Sequence, residues 1–308
     1  MTTLDAPLPE ESEQTFLDEA FGRLATGLPL MILAQADTNT QIYSRALRQR
    51  AELLYGEDRV FHAFPPNSSQ ADSAAYFGRL ARQCRLTQPI AESWEWADAM
   101  SETLSDDAAA LLLVTGFENG PDACRRELAG ELRQLYESYP ALRIVLMGGE
   151  RLAALKYAQG DMSLLNIAEV LPIPQLSTHD LYELFGRQYP QLNLTAEQVR
   201  DVLEFTGHHP RLLQYCLQQG AESGLTCERV LRESPLPVQL FGHFREVEDR
   251  EPLCELLAQE ELGGFEFWSQ NERLRRLYWA NLTTRQSASF VWRCEFIRQI
   301  GREVLACG

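Results

Sequence analysis

The sequence predicts an α/β protein in three successive parts: a parallel sheet covered by helices on both faces, an all-helical region, and a small terminal module of helices and one hairpin-like strand. Three observations carry this. Up to residue 175, nearly continuous apolar runs alternate with segments of helical periodicity. From residue 176 the extended runs stop and only helical spacing continues. After a proline-marked joint at "ESPLPVQ", the order becomes helix, helix, strand, helix. The implied division is a flexible, acidic N-terminus over 1–13, an α/β core over 14–175, a helical region over 176–236 and a terminal module over 237–308.

Each element has its own signal. "QTFLDEAFGRLA" places Phe16, Leu17, Ala20, Phe21 and Leu24 at helical spacing. "LPLMILAQA" is continuously apolar, as a strand buried on both faces must be, and "TQIYSRALRQRAELLY" after it is helical. A short strand, "RVFHAF", is followed by the break "PPNSSQ" and by helices around "SAAYFGRLARQC" and "SWEWADAMSETL". "AALLLVTGFE" is the strongest strand signal, and the helix after it puts Cys124, Leu128, Leu132 and Leu135 on one face. "LRIVLMGG" and "IAEVLPIP" supply two more core strands, with a short helix at "ERLAALKYA". The helical region opens at "LSTHDLYELFGRQY", where Ser177 or Thr178 is an N-cap and Asp180 lies in the first turn. "TAEQVRDVLEFTG" and "HPRLLQYCLQQGAESG" follow. The tail reads "REPLCELLAQEE", "ERLRRLYWANLTT", strand-like "SASFVWRC" and helix "EFIRQIGREVL", the outline of a winged-helix module.

Composition narrows the chemistry. The chain has 308 residues, 45% of them hydrophobic, enough for two or three packed domains. No apolar run reaches membrane-span length, and no basic patch with an apolar core opens the chain, so no membrane partner and a cytoplasmic location are expected. Seven scattered cysteines, never spaced CxxC, argue for reduced thiols rather than a zinc site or a disulfide framework. Cys294 has Arg293 beside it, which would lower its pKa, but a packed thiol is the simpler reading. No HExxH metal pattern and no GxSxG nucleophile elbow occur. A net charge of -16 disfavours nucleic acid as a partner.

The first strand-to-helix connection, "AQADTNTQ", occupies the place where a phosphate-binding loop usually sits. Such a loop needs glycines, so that amides can ring the phosphates, and a lysine as a point charge. No glycine lies between positions 28 and 55, and the single lysine of the chain is Lys156 in "ERLAALKYAQG". Asp37 would bring a negative charge towards a polyphosphate, whereas Asn39 can adopt a left-handed conformation and preserve the turn.

Taken together, the pieces resemble the STAND branch of the AAA+ ATPases over about residues 14 to 308. The most specific marker is "FTGHHPRLLQYCLQ", residues 205–218, similar to the family's lid motif of glycine, histidine and proline before an apolar helix. The resemblance implies a P-loop NTPase-like parallel sheet flanked by helices, followed by an all-helical lid and a C-terminal winged-helix domain. It also implies that His209, with His208, faces a nucleotide; the plainer reading is that "GHHP" caps one lid helix and starts the next at Pro210. In the family's Walker A register, the glycines, lysine and hydroxyl fall on Ala34, Asn39, Thr40 and Gln41; the Walker B aspartate and glutamate fall on Thr115 and Gly116, with Glu118 two residues beyond.

Loss of these groups together removes nearly every element by which such a fold transfers phosphoryl groups. The expectation is a degenerate, non-catalytic STAND-like pseudo-ATPase with no metal and no retained cofactor, acting as a scaffold or regulatory adaptor. By resemblance the setting is bacterial signalling, defence or regulated assembly, with a protein partner that is a separate effector. Two alternatives stand beside it. One is a switch that senses ATP or ADP through Asn39, Thr40, Gln41 and His209. The other is a winged-helix transcription regulator using the arginines of "RLRRLYW", whose Leu274, Leu277 and Tyr278 equally fit a core-facing helix. Trp94, Trp96, Arg273 and Arg276 are the candidate partner-binding residues.

Overall fold

The computed structural model describes residues 7–105, 107–158, 163–188, 195–223, 226–245, 247–264, 271–286 and 289–307. They form two compact units, one drawn from residues 7–34 and 39–175, the other from residues 35–38 and 176–307.

The first unit begins with α1 (Glu10–Leu24), β1 (Leu30–Leu33), α2 (Thr40–Tyr55) and β2 (Val60–Ala63). It continues with α3 (Ser73–Gln83), α4 (Ser93–Thr103), β3 (Ala110–Thr115), α5 (Asp122–Ser138) and β4 (Leu142–Gly148). It ends with α6 (Glu150–Ala158), α7 (Ser163–Ile167) and β5 (Glu169–Pro172). All strand pairs are parallel in the order β2-β3-β4-β1-β5, with β1 in register with Val145–Gly148 on one side and Glu169–Pro172 on the other. The continuous apolar runs are explained by this placement: Leu30–Leu33 and Ala110–Val114 are buried throughout, as parallel strands covered on both faces must be. On α5 the residues expected to face the core, Cys124, Leu128, Leu132 and Leu135, are buried.

Two expectations need correction here. The N-terminal stretch expected to be flexible over 1–13 is helical from Glu10, and Leu8 is buried; Glu10, Glu11 and Glu13 in the first turn favour the helix through its dipole. Residues 1–6 lie outside the described residues. Trp96, a candidate partner-binding residue, is 0% exposed, whereas Trp94 is 58% exposed. Positions two apart on a helix face different sides, so α4 turns one ring into the core and one to solvent. The lone Lys156 is structural: its Nζ donates to Leu165 O at 2.6 Å and Ala168 O at 2.7 Å, carbonyls at the end of α7.

The second unit contains α8 (Thr178–Gln188), α9 (Ala196–Thr206), α10 (Pro210–Ser223), α11 (Cys227–Arg232), α12 (Leu236–Phe241) and α13 (Val247–Leu257). These are followed by β6 (Glu261–Gly264), α14 (Glu272–Trp279), β7 (Thr283–Gln286), β8 (Ser289–Trp292) and α15 (Glu295–Val304). Ser177 caps α8 with Asp180: Ser177 N–H donates to Asp180 Oδ2 and Asp180 N–H to Ser177 Oγ. The joint at "ESPLPVQ" is itself the helix α12, started by prolines whose missing N–H groups are not needed in a first turn. β6, β8 and β7 pair antiparallel in that order, so "NLTT" ends α14 and becomes a wing strand instead of extending the helix. The core behind this sheet gathers Phe241, Phe244, Leu257, Leu277, Phe290, Trp292 and Ile297.

The scattered cysteines are not all thiols. Cys254 on α13 and Cys307 after α15 form a disulfide, Cα to Cα 5.5 Å; Cys84, Cys124, Cys216, Cys227 and Cys294 are reduced. Spacing along the chain could not reveal a pair 53 residues apart.

Candidate functional site

In the second unit, the chain turns sharply between α9 and α10. Gly207 and His208 are both left-handed, at φ +60° and +58°, and the N–H of His208 donates to Leu203 O at 3.1 Å, closing α9 in the manner of a Schellman turn. His209 then takes the N-cap position, its carbonyl accepting from Leu213 N–H at 3.0 Å, and Pro210 starts α10. The capping function expected of "GHHP" is therefore present. His209 is also 0% exposed, and neither ring nitrogen finds a hydrogen-bond partner among the described residues. Burial, with Arg293 and Arg211 beside it, pushes its pKa down to about 3, so the ring is neutral near pH 7.

Gln35–Thr38, the connection between β1 and α2, packs with this second unit. Its polar groups are taken up there. Ala36 N–H donates to Trp279 O at 2.9 Å, and Asn281 Nδ2 donates to Ala36 O at 2.7 Å. Gln35 Nε2 donates to Tyr278 O at 2.8 Å and Thr283 O at 3.3 Å, while its Oε1 accepts from Arg293 at 2.9 Å. Arg293 also donates to Gly207 O at 3.2 Å, which links the connection to the turn before His209. Burial lowers the Arg293 pKa to about 10, leaving the guanidinium charged near pH 7. The left-handed residue of the connection is Asp37, at φ +62°, and not Asn39. Asp37 has its pKa raised by burial, against a weaker opposing pull from Arg211.

Asn39, Thr40 and Gln41 belong to the first unit. Asn39 is an N-cap, its Oδ1 accepting from Gln41 N–H at 3.1 Å, and Thr40 is the first residue of α2. At the C-terminal ends of β2, β3 and β4 lies a separate polar group. His62 Nε2 lies 3.0 Å from Thr115 Oγ1, and burial with Arg48 nearby lowers the His62 pKa to about 4. Glu118 Oε1 accepts from Gly149 N–H at 3.3 Å; its Oε2 has no partner among the described residues, and burial raises its pKa. Beyond the strand end, Glu118 is thus drawn to β4.

The remaining candidates fall elsewhere. Arg273 is exposed on α14, and Arg276 lies 5.0 Å over the Phe244 ring. Leu277 of the same helix is buried, as its spacing indicates. Cys294 is pushed up to about 11 because burial outweighs the neighbouring Arg293, so it is not an activated thiol. Sequence reasoning missed Gln35, Asn281 and Arg293; nothing in the chain sets Arg293 apart from the other arginines. Among the described residues no group of three or more histidine, cysteine or acidic side chains could hold a metal, and no helix is long and apolar enough to cross a membrane.

The titrations give a pH prediction. His62, His208 and His209 all have folded pKa values below 6.5, so the unfolded chain binds more protons and stability falls as pH drops below 6.5 towards 4. Asp37 and Glu118 have raised values and act with opposite sign, in a window above their ordinary 3.8 and 4.5. Melting temperatures between pH 7 and 5.5 are therefore expected to fall with acid, with a shallower slope in a His62→Gln/His209→Gln double variant. An unchanged slope in that variant would contradict the assignment.

No protein-family model and no curated protein matches the sequence. Solved structures do. The Walker-type ATPase paby2304 of Pyrococcus abyssi superposes with a TM-score of 0.62 at 13% identity, over 98% of this chain and 100% of that one. The ORC2 protein of Aeropyrum pernix, solved in ADPNP-ADP complexes, gives 0.51 at 12% identity over 98% and 97%. These likenesses, with the parallel order β2-β3-β4-β1-β5, show the fold: an AAA+-like arrangement of the P-loop ATPase type.

Proposed function

We propose that the chain is a STAND-like pseudo-ATPase, a non-catalytic scaffold or regulatory adaptor built on an AAA+-like fold. The observation that supports this best is the use made of the β1–α2 connection. Phosphate-binding loops work by leaving backbone N–H groups directed at the ligand. Here the Ala36 N–H is committed to Trp279 O, and the flanking Gln35 is held from both ends of its amide. The reading is further supported by the family resemblance, whose register puts Thr115 and Gly116 at the magnesium-binding and water-positioning carboxylates, residues that bring no charge to phosphoryl transfer.

The test is calorimetric titration with ATP and ADP, with and without magnesium, beside a phosphate-release assay. The expected result is neither turnover nor binding at millimolar nucleotide; release of phosphate at an ordinary ATPase rate would overturn the reading. A second reading, a nucleotide-sensing switch without hydrolysis, is favoured by the two ring nitrogens of His209, which find no partner among the described residues. Binding without turnover, lost in a His209→Ala variant, would select it. For the adaptor reading, the partner is a protein, and Trp94 and Arg273 are the exposed candidates to contact it.

A further inference from the structure

Five of the seven cysteines lie in the second unit, and all five pack in or against one apolar core. The Cys254–Cys307 disulfide differs from the others in having a support that does not depend on its bond. Arg250, one helical turn before Cys254, donates Nε–H to Leu305 O at 2.7 Å and a terminal N–H to Ala306 O at 3.0 Å. Those carbonyls lie in the turn that caps α15, at a helix C-terminus where backbone acceptors lack intrahelical donors and a cation is favoured. The turn is closed from its own side as well: Ala306 is left-handed at φ +49°, and Cys307 N–H donates to Arg302 O at 2.9 Å. Cys307 is thus held beside α13 by hydrogen bonds that do not involve the sulfurs. Both half-cystines are half-buried, as are the free Cys227 and Cys294, whereas Cys84, Cys124 and Cys216 are buried.

We propose that Cys254–Cys307 is a reversible thiol–disulfide exchange site for low-molecular-weight thiols and disulfides, with Arg250 as the positioning residue that favours the closed form. In the opening direction, a small thiolate attacks one sulfur, the Cys254–Cys307 bond breaks, and the other cysteine leaves as a thiolate that takes a proton from water. A second small thiolate then attacks the external sulfur of the mixed disulfide. The products are the protein dithiol and one oxidised small disulfide, so two electrons pass from two small thiols to the protein. Closure is the reverse, and its equilibrium depends on how closely the chain holds the two thiols together. This inference is independent of whether nucleotide binds.

The experiment equilibrates the full chain in glutathione buffers of graded reduced-to-oxidised ratio, quenches with acid, alkylates, and counts labels on Cys254 and Cys307 by peptide mass. The expected result is joint conversion of the two residues with one midpoint while Cys216 and Cys227 stay reduced. In Arg250→Ala the midpoint is expected to move about tenfold towards more oxidising buffer, because the turn is no longer held. Arg250→Lys, which retains the charge but not the forked donors, is expected to fall between; it decides the matter if circular dichroism shows that the alanine variant is unfolded. Equal midpoints in the wild type and the folded variants would overturn the proposal, as would a pair that stays wholly open or wholly closed across the range.

Discussion

Replacing Gly207 by alanine is expected to destabilise the second unit by about 3 kcal/mol or more, enough to consume a large part of a typical domain's stability. Two penalties combine. At φ +60° an L-residue costs about 1 kcal/mol relative to glycine. In addition, a Cβ at this position would lie 2.5 Å from Arg293 O and 2.6 Å from Arg293 C, so main chain must move and no flexible side chain can give way. The displaced residue is the one that holds both Gly207 O and Gln35 Oε1, and the substitution therefore also disturbs the β1–α2 connection. Urea denaturation followed by tryptophan fluorescence would measure this, since Trp279 and Trp292 report on the same unit. A loss below about 1 kcal/mol would mean that the turn relaxes easily and that the close approach is not a constraint.

The second large effect is expected at Arg293. Arg293→Ala leaves the carbonyl of Gly207 and the side-chain carbonyl of Gln35, both part-buried, without their donor, at about 1–2 kcal/mol for each acceptor. Removing a charge that burial already disfavours offsets part of this, so a net loss of about 1–3 kcal/mol is expected. The same variant carries a readout that simple destabilisation would not produce. Arg293 contributes to the depressed pKa values of His208 and His209, so both should rise in Arg293→Ala, as followed by proton NMR of the imidazoles. A large stability loss with unmoved histidine titrations would show that Arg293 acts through packing alone.

Much of the fold was legible in the sequence because its signals are local. Leu30–Leu33 and Ala110–Thr115 are strands because uninterrupted apolar residues suit a sheet buried on both faces, and α5 is a helix because its leucines recur at helical spacing. The cap at "GHHP" was legible for the same reason: glycine, a bulky pair and proline dictate a turn between helices within four residues. The composition of the β1–α2 connection was equally plain, with no glycine between 28 and 55 and the single lysine of the chain far away at 156.

What the tertiary structure alone decided are pairings between distant positions. Gln35 meets Tyr278, Thr283 and Arg293 across more than 240 residues, and no periodicity records such a contact. Asp37, not Asn39, carries the left-handed turn because the partners of Gln35 and Ala36 impose the path of the backbone there. The alternate spacing of Trp94 and Trp96 in "SWEWAD" allows one core and one surface ring, and only packing decides that Trp96 is the core one. Cys254 and Cys307 look like unrelated thiols until α13 and the end of α15 bring them together. By itself the sequence determined most helices and the parallel core strands, because these are properties of short segments, whereas β6 and β7 of the terminal sheet, which the sequence did not signal, exist through their pairing with β8. Which buried polar groups satisfy one another was decided by the fold, since a buried hydrogen bond depends on where its partner lies in space.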